Sequence, residues 1–164
     1  MQLLMSTANE NISPVVDTDR CSIITTTNRI NEISSTNSNA ESNTGDLNDA
    51  VYITKVMNLL QPANTLKVQF EAWRHPDTEI HVMYRIQPVG SSLAFSEIGY
   101  TYFNGNGKED KTVQKTEAYL LRDLIYTYNG PEFISAQVKI IMTSKNQSYV
   151  PSIKNLRCMA LSDL

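Results

Sequence analysis

His75, Asp77, Glu79 and His81 stand at two-residue spacing in the stretch RHPDTEIH, directly after Trp73 and Arg74. Imidazoles and carboxylates are the side chains that bind metals and carry protons, and a metal site needs three or four of them converging on one point. Whether these four converge depends on the backbone that carries them. LKVQFEAW, before the cluster, alternates strictly: Leu66, Val68, Phe70 and Ala72 fall on one face, and Lys67, Gln69, Glu71 and Trp73 on the other. EIHVMYRIQP repeats the pattern, with Ile80, Val82, Tyr84 and Ile86 inward and His81, Met83, Arg85 and Gln87 outward. The stretch therefore reads as two strands and a turn containing Pro76. Asp77 falls in the turn and His81 on an outward face, so the expectation is a solvated hairpin end. No residue is assigned a catalytic, cofactor-binding or metal-ligating role, and no cofactor is expected.

Other candidate chemistries are weaker. NGNGKED, from Asn104, has the composition of a calcium loop, but positions one and twelve are Asn104 and Lys115 where that spacing needs acidic residues. A glycine turn accounts for it. An outward Trp73 near Arg74, Tyr84 and Arg85 would suit a sugar ring, or burial against a neighbouring surface. The basic residues are scattered singly, which argues against nucleic acid. No nucleophile elbow, phosphate loop or zinc-protease helix occurs.

The elements that position these residues are strands. VYITKVM, the two alternating segments, a weaker run over 95–103, FISAQVKIIMTS and VPSIKNLRCMAL are short strands punctuated by Gly, Pro and Asn, with turns read at QPANT and FNGNGKED. KTEAYLLRDLIYTY fits helical periodicity through Leu120, Leu121, Leu124 and Tyr128. Its ending in Ile125, Tyr126, Thr127 and Tyr128 favours a strand. The expected fold is all-β, an antiparallel β-sandwich of jelly-roll type over residues 50–164.

Residues 1–49 differ in kind. They include Pro14, Val15, Val16, Ile23, Ile24 and Ile30, followed by an Asn/Ser-rich stretch with almost no large apolar side chains. Such a stretch buries too little surface to offset its ordering entropy. The expectation is an extended, largely irregular arm and linker whose apolar residues become ordered on another surface, and with Trp73 they make up the expected partner-binding set. Through residue 50 the chain holds two arginines and seven carboxylates, a balance of −5, whereas the remainder balances to +2 within a total of −3. Cys21 and Cys158 are far apart and lack CxxC spacing; one long-range disulfide is formally open, and two separate thiols are expected. The opening MQLLMSTANE lacks a basic n-region and a long apolar core, so no signal peptide is read, and no run reaches transmembrane length.

Four blocks in this order, NISPVVDTDRCSIITTTNRIN, GDLNDAVYITKVMNL, LKVQFEAWRHPDTEIHVMYRI and AQVKIIMTSKNQSYVPSIKNLRCMAL, resemble a segment of tailed-bacteriophage virion proteins. The similarity is to the β-sandwich module, with its upstream arm, of tail and baseplate structural proteins in contractile-tailed phages, including cyanophages. The resemblance implies a structural role in assembly, with other tail or baseplate proteins as partners. It implies a homo- or hetero-oligomer in the virion, reached from the host cytoplasm, with neither nucleic acid nor membrane as partner. It carries over no catalytic residue. The alternative is a receptor- or glycan-binding module of a tail fibre, using Trp73.

Overall fold

The computed structural model describes residues 50–146 and 148–162. The expected arm over 1–49, with Pro14, Val15, Val16, Ile23, Ile24 and Ile30, lies outside them. The described chain is all-β: β1 (Val51–Ile53), β2 (Met57–Trp73), β3 (Thr78–Pro88), β4 (Thr101–Tyr102), β5 (Arg122–Ser144) and β6 (Ser152–Leu161). They form one antiparallel sheet in the order β4-β3-β5-β2-β6, with β1 also paired to β5. Among the described residues no helix is long and apolar enough to cross a membrane.

β5 makes this single sheet sandwich-like. Its first half, through Asn129, pairs with β2, while the run from Phe133 to Ser144 takes β3 along one edge and the start of β2, then β1, along the other. Between the two lies NGPE, residues 129–132. The backbone stays extended there, and β5 gains β3 as a second neighbour without a chain reversal. The apolar faces of both halves meet in one core containing Leu66, Val68, Phe70, Ile80, Val82, Leu124, Tyr126, Phe133, Val138 and Ile140. Ring contacts cross between the halves: Tyr84 of β3 lies 4.9 Å from Tyr128 of β5 and 4.7 Å from Phe103. Phe70 stacks on Tyr126 at 5.5 Å. Each such buried side chain contributes roughly 1.5–3 kcal/mol by leaving water.

The inward set of the hairpin takes its expected face: Leu66, Val68, Ile80 and Val82 have no exposed surface. The outward set needs correction at two positions. Met83 and Arg85 are buried because segment 89–102 crosses the back of β3, and Met83, Tyr100 and Ile141 form a second apolar cluster there. QPANT is also no turn. It lies inside β2, where two register shifts absorb the proline and leave Leu60 fully exposed. Pro62 has no N–H to give a ladder, so an irregular stretch tolerates it. The weaker run at 95–103 supplies only the two residues of β4 and two short 3-10 turns. The stretch from Arg122 to Tyr128 is strand, as its β-branched and aromatic ending favours.

Candidate functional site

The β2–β3 turn is built from buried charge. Arg74 and His75, expected in solvent, are each only 6% exposed. The guanidinium of Arg74 holds the Glu109 carboxylate at two points and donates to Val113 O at 2.7 Å. Thr116 N–H closes the same contact by donating to Arg74 O at 3.0 Å. Burial alone would raise the Glu109 pKa, but hydrogen bonds from Arg74 and the Val113 N–H outweigh it and hold the carboxyl below its usual range. Segment 107–121 is thereby strapped across the hairpin. Lys115 adds an ion pair to Glu79.

The two histidines do not converge. The ring of His75 stacks on Tyr149 at 3.6 Å, 7° from parallel, and its Nδ1 accepts from Asp77 N–H at 3.2 Å. Its proton in the neutral form therefore sits on Nε2. Thr78 donates both N–H and Oγ1–H to His75 O at 2.9 Å, which closes the turn. His81 belongs to another neighbourhood: its Nδ1 donates to Asn106 O at 3.1 Å and its ring meets Tyr102 edge-on. Among the described residues no three His, Cys, Asp or Glu side chains group as metal ligands would.

NGNGKED folds on itself. Asp110 Oδ1 accepts from Asn104 Nδ2 at 3.1 Å and from Thr127 N–H at 3.0 Å, so this oxygen is engaged by the chain's own donors. Asn104, Gly105 and Gly107 have positive φ. Gly107 is the demanding one: Val82 N–H donates to its carbonyl at 2.8 Å, and a Cβ there would stand 2.8 Å from Tyr102 Cδ1.

Trp73 is half-buried beneath its own chain. Its Nε1–H is shared between Thr116 O at 3.1 Å and Ala118 O at 2.9 Å, and its ring lies 5.2 Å from that of Tyr119. Tyr119 is 62% exposed, so the two rings form an aromatic step at the surface.

Periodicity gave no sign of two polar groupings. One is Arg74 with Glu109, separated by 35 positions. The other lies on the back of the sheet: Arg85 Nε and Tyr100 O–H both donate to Gln137 Oε1 at 2.9 Å, and Gln137 Nε2 donates to Thr54 O at 2.6 Å. Arg85 also lies over Phe95 and Tyr100, and Lys139 over Tyr100 at 4.4 Å. Beside it, an open groove of about 350 Å³ runs past Tyr84, Ile86, Leu93, Ile98 and Tyr128.

No family model, curated protein or solved structure matches the chain.

The geometry therefore brings the hairpin's polar residues into structural pairings and leaves apolar surface elsewhere. Leu60 is fully exposed, Val89 49% and Ile134 38%. Register places them close along the sheet: Asn58 pairs with Ser135, Ala63 with Phe133, and Val89 N–H donates to Glu132 O. They form an apolar rim where β5 gains β3 as a second neighbour beside β2.

Proposed function

We propose that this chain is a structural virion protein of a tailed bacteriophage, a tail or baseplate component that acts through protein–protein contacts. The observation carrying the contact role is the apolar rim of Leu60, Val89 and Ile134. Apolar side chains grouped at a surface favour a partner that removes them from water. The resemblance of the four sequence blocks to tail and baseplate modules supplies the setting. The arm's leading apolar residues, Pro14, Val15 and Val16, add a second contact element on the same reading, as arms that order on a neighbour do in interlocking assemblies.

The test is immunogold labelling of particles purified from a lysate in which the gene is expressed from its phage. Label on tails or baseplates supports the proposal. Particles without label, with the protein confined to the soluble fraction, overturn it. Leu60→Asp and Ile134→Asp, both at exposed positions, are expected to keep the fold and to lower incorporation into particles.

A further inference from the structure

The border of the core along β6 is incomplete. Register sets Ile153 opposite Ala72, Cys158 opposite Val68 and Ala160 opposite Leu66, so these β6 residues share the core face. Leu156 packs against the same cluster. All four are only partly buried, while their β2 partners are 0–2% exposed. β6 ends the sheet order, and among the described residues no strand pairs with its outer edge. Past the kink at Asn155, where φ is 55°, residues 157–161 keep unbroken register with β2. An edge of this kind turns the N–H and C=O of every second residue outward, ready for another strand.

We propose that residues 21–27 of the same chain, CSIITTT, lie along this edge as an additional strand. Their composition suits a strand: Ile23, Ile24, Thr25, Thr26 and Thr27 are all β-branched. Alternation then sends Cys21 and Ile23 to one face and Ile24 to the other. With Cys21 and Ile23 on the core side, Leu156, Cys158 and Ala160 gain cover, and Ile24 falls beside Met159 and the exposed Leu161. Charge agrees. Residues 148–162 carry Lys154 and Arg157 and no carboxylate, while Asp17 and Asp19, offset in part by Arg20, lie just before the segment in an arm of balance −5. Reach decides between the chain's own segment and that of a second copy. Residues 28–50 form the tether, and a flexible chain of that length spans about 26 Å root-mean-square. β6 stands two strands from β5 at about 4.8 Å each, and the short turn from Trp73 to Thr78 brings the β5 partners Arg122 and Ser144 over one another. Ala50, bonded to Met142, therefore starts within that span of the far edge. A tether of this sort gives an effective concentration on the order of millimolar, well above a second copy at micromolar protein. The inference concerns the chain's own edge and stands or falls independently of the virion reading.

Residue-resolved amide exchange on the full chain tests it. The expected result is protection of amides in both 22–27 and 157–161, unchanged over a hundredfold dilution. The double variant Ile23→Pro/Ile24→Pro removes donors of both parities and should lower protection along 157–161 by about tenfold or more, while Ser42→Pro in the tether should not. Deletion of residues 1–28 should reproduce the loss, with amides of 138–141 at the sheet centre reporting that the body stays folded. Exchange of 22–27 at free-peptide rates would overturn the proposal, leaving Lys154 and Arg157 as charges that guard a bare edge. Protection that falls on dilution would also overturn it, since the strand would then come from a second copy.

Discussion

Arg74 and Glu109 form a two-point ion pair, with Nη1 donating to Oε2 at 3.1 Å and Nη2 to Oε1 at 2.6 Å, and their side chains are 6% and 4% exposed. The pair joins the β2–β3 turn to a segment 35 positions away. Its significance is structural: a carboxylate held by a guanidinium and by Val113 N–H is poorly placed to take up a proton, and the segment it anchors also carries the partners of Trp73 and Glu79.

Breaking this pair from one side should be costly. Glu109→Gln or Arg74→Ala leaves a buried partner short of its counter-charge, and the expected loss is about 3 kcal/mol in urea unfolding. Replacing both with apolar residues of similar volume, Arg74→Met with Glu109→Leu, should cost much less than the sum of the single changes. The pH dependence has a definite sign. Because the Glu109 carboxyl is held below its unfolded value of 4.5, its contribution is complete above pH 4.5 and is lost as pH falls below that toward the folded value. Unfolding midpoints measured between pH 7 and 3 should fall less steeply in Glu109→Gln than in the parent chain. Equal slopes would count against the assignment.

Gly105 and Gly107 offer a matched comparison. Both have positive φ, 74° and 75°, but a Cβ at Gly105 meets open space, whereas at Gly107 it would crowd Tyr102, His81 and the backbone of Val82. Gly105→Ala should therefore cost only the backbone strain, about 1 kcal/mol. Gly107→Ala adds a clash with the strand it bonds to and should cost about 2–3 kcal/mol. Thermal melts of the two variants check the ranking, and equal costs would mean that the loop moves freely off β3.

How much of this was legible in the sequence depends on range. The inward faces of β2 and β3 follow from a period of two, and burial of Leu66, Val68, Ile80 and Val82 bears the pattern out. Turn residues misled where a strand absorbs them: QPANT lies within β2 because register shifts accommodate Pro62. The polar hairpin end was misread for another reason. Arg74 is buried by Glu109 and Arg85 by Gln137 and Tyr100, and no local pattern announces a partner 35 or 52 positions away. His75 and His81 share a spacing but not a neighbourhood, since one stacks on Tyr149 and the other bonds Asn106.

Trp73 separates a structural role from a binding one. Trp73→Phe removes the N–H shared by Thr116 and Ala118, a loss of about 1 kcal/mol that should increase proteolytic cleavage within 115–119 roughly fivefold. Tyr119→Ala leaves that N–H in place and removes the exposed half of the aromatic step. On the structural reading, cleavage rises in Trp73→Phe and neither chain binds glycans. Glycan-array binding by the parent that is lost in Tyr119→Ala, with the melting temperature unchanged, would instead support the fibre-module alternative.

Tyr126 is the last and sharpest case. Its ring stacks on Phe70 within the core, the residue is wholly buried, and its hydroxyl finds no hydrogen-bond partner among the described residues. An unbonded buried hydroxyl costs about 1–3 kcal/mol, so Tyr126→Phe should raise stability by about 1 kcal/mol with the ring contacts unchanged. Burial, with Glu109 and Asp110 adding to it against Arg74, pushes the phenol well above its ordinary value of 10. The unfolded chain therefore ionises at this residue while the folded one does not. Stability is complete below pH 10 and declines as pH rises above it. Urea unfolding at pH 7 and pH 10.8 checks both points: the variant should be the more stable at pH 7, and its advantage should widen at the higher pH. A variant less stable than the parent at pH 7 would mean that the hydroxyl has a partner, such as a buried water, that holds it in place.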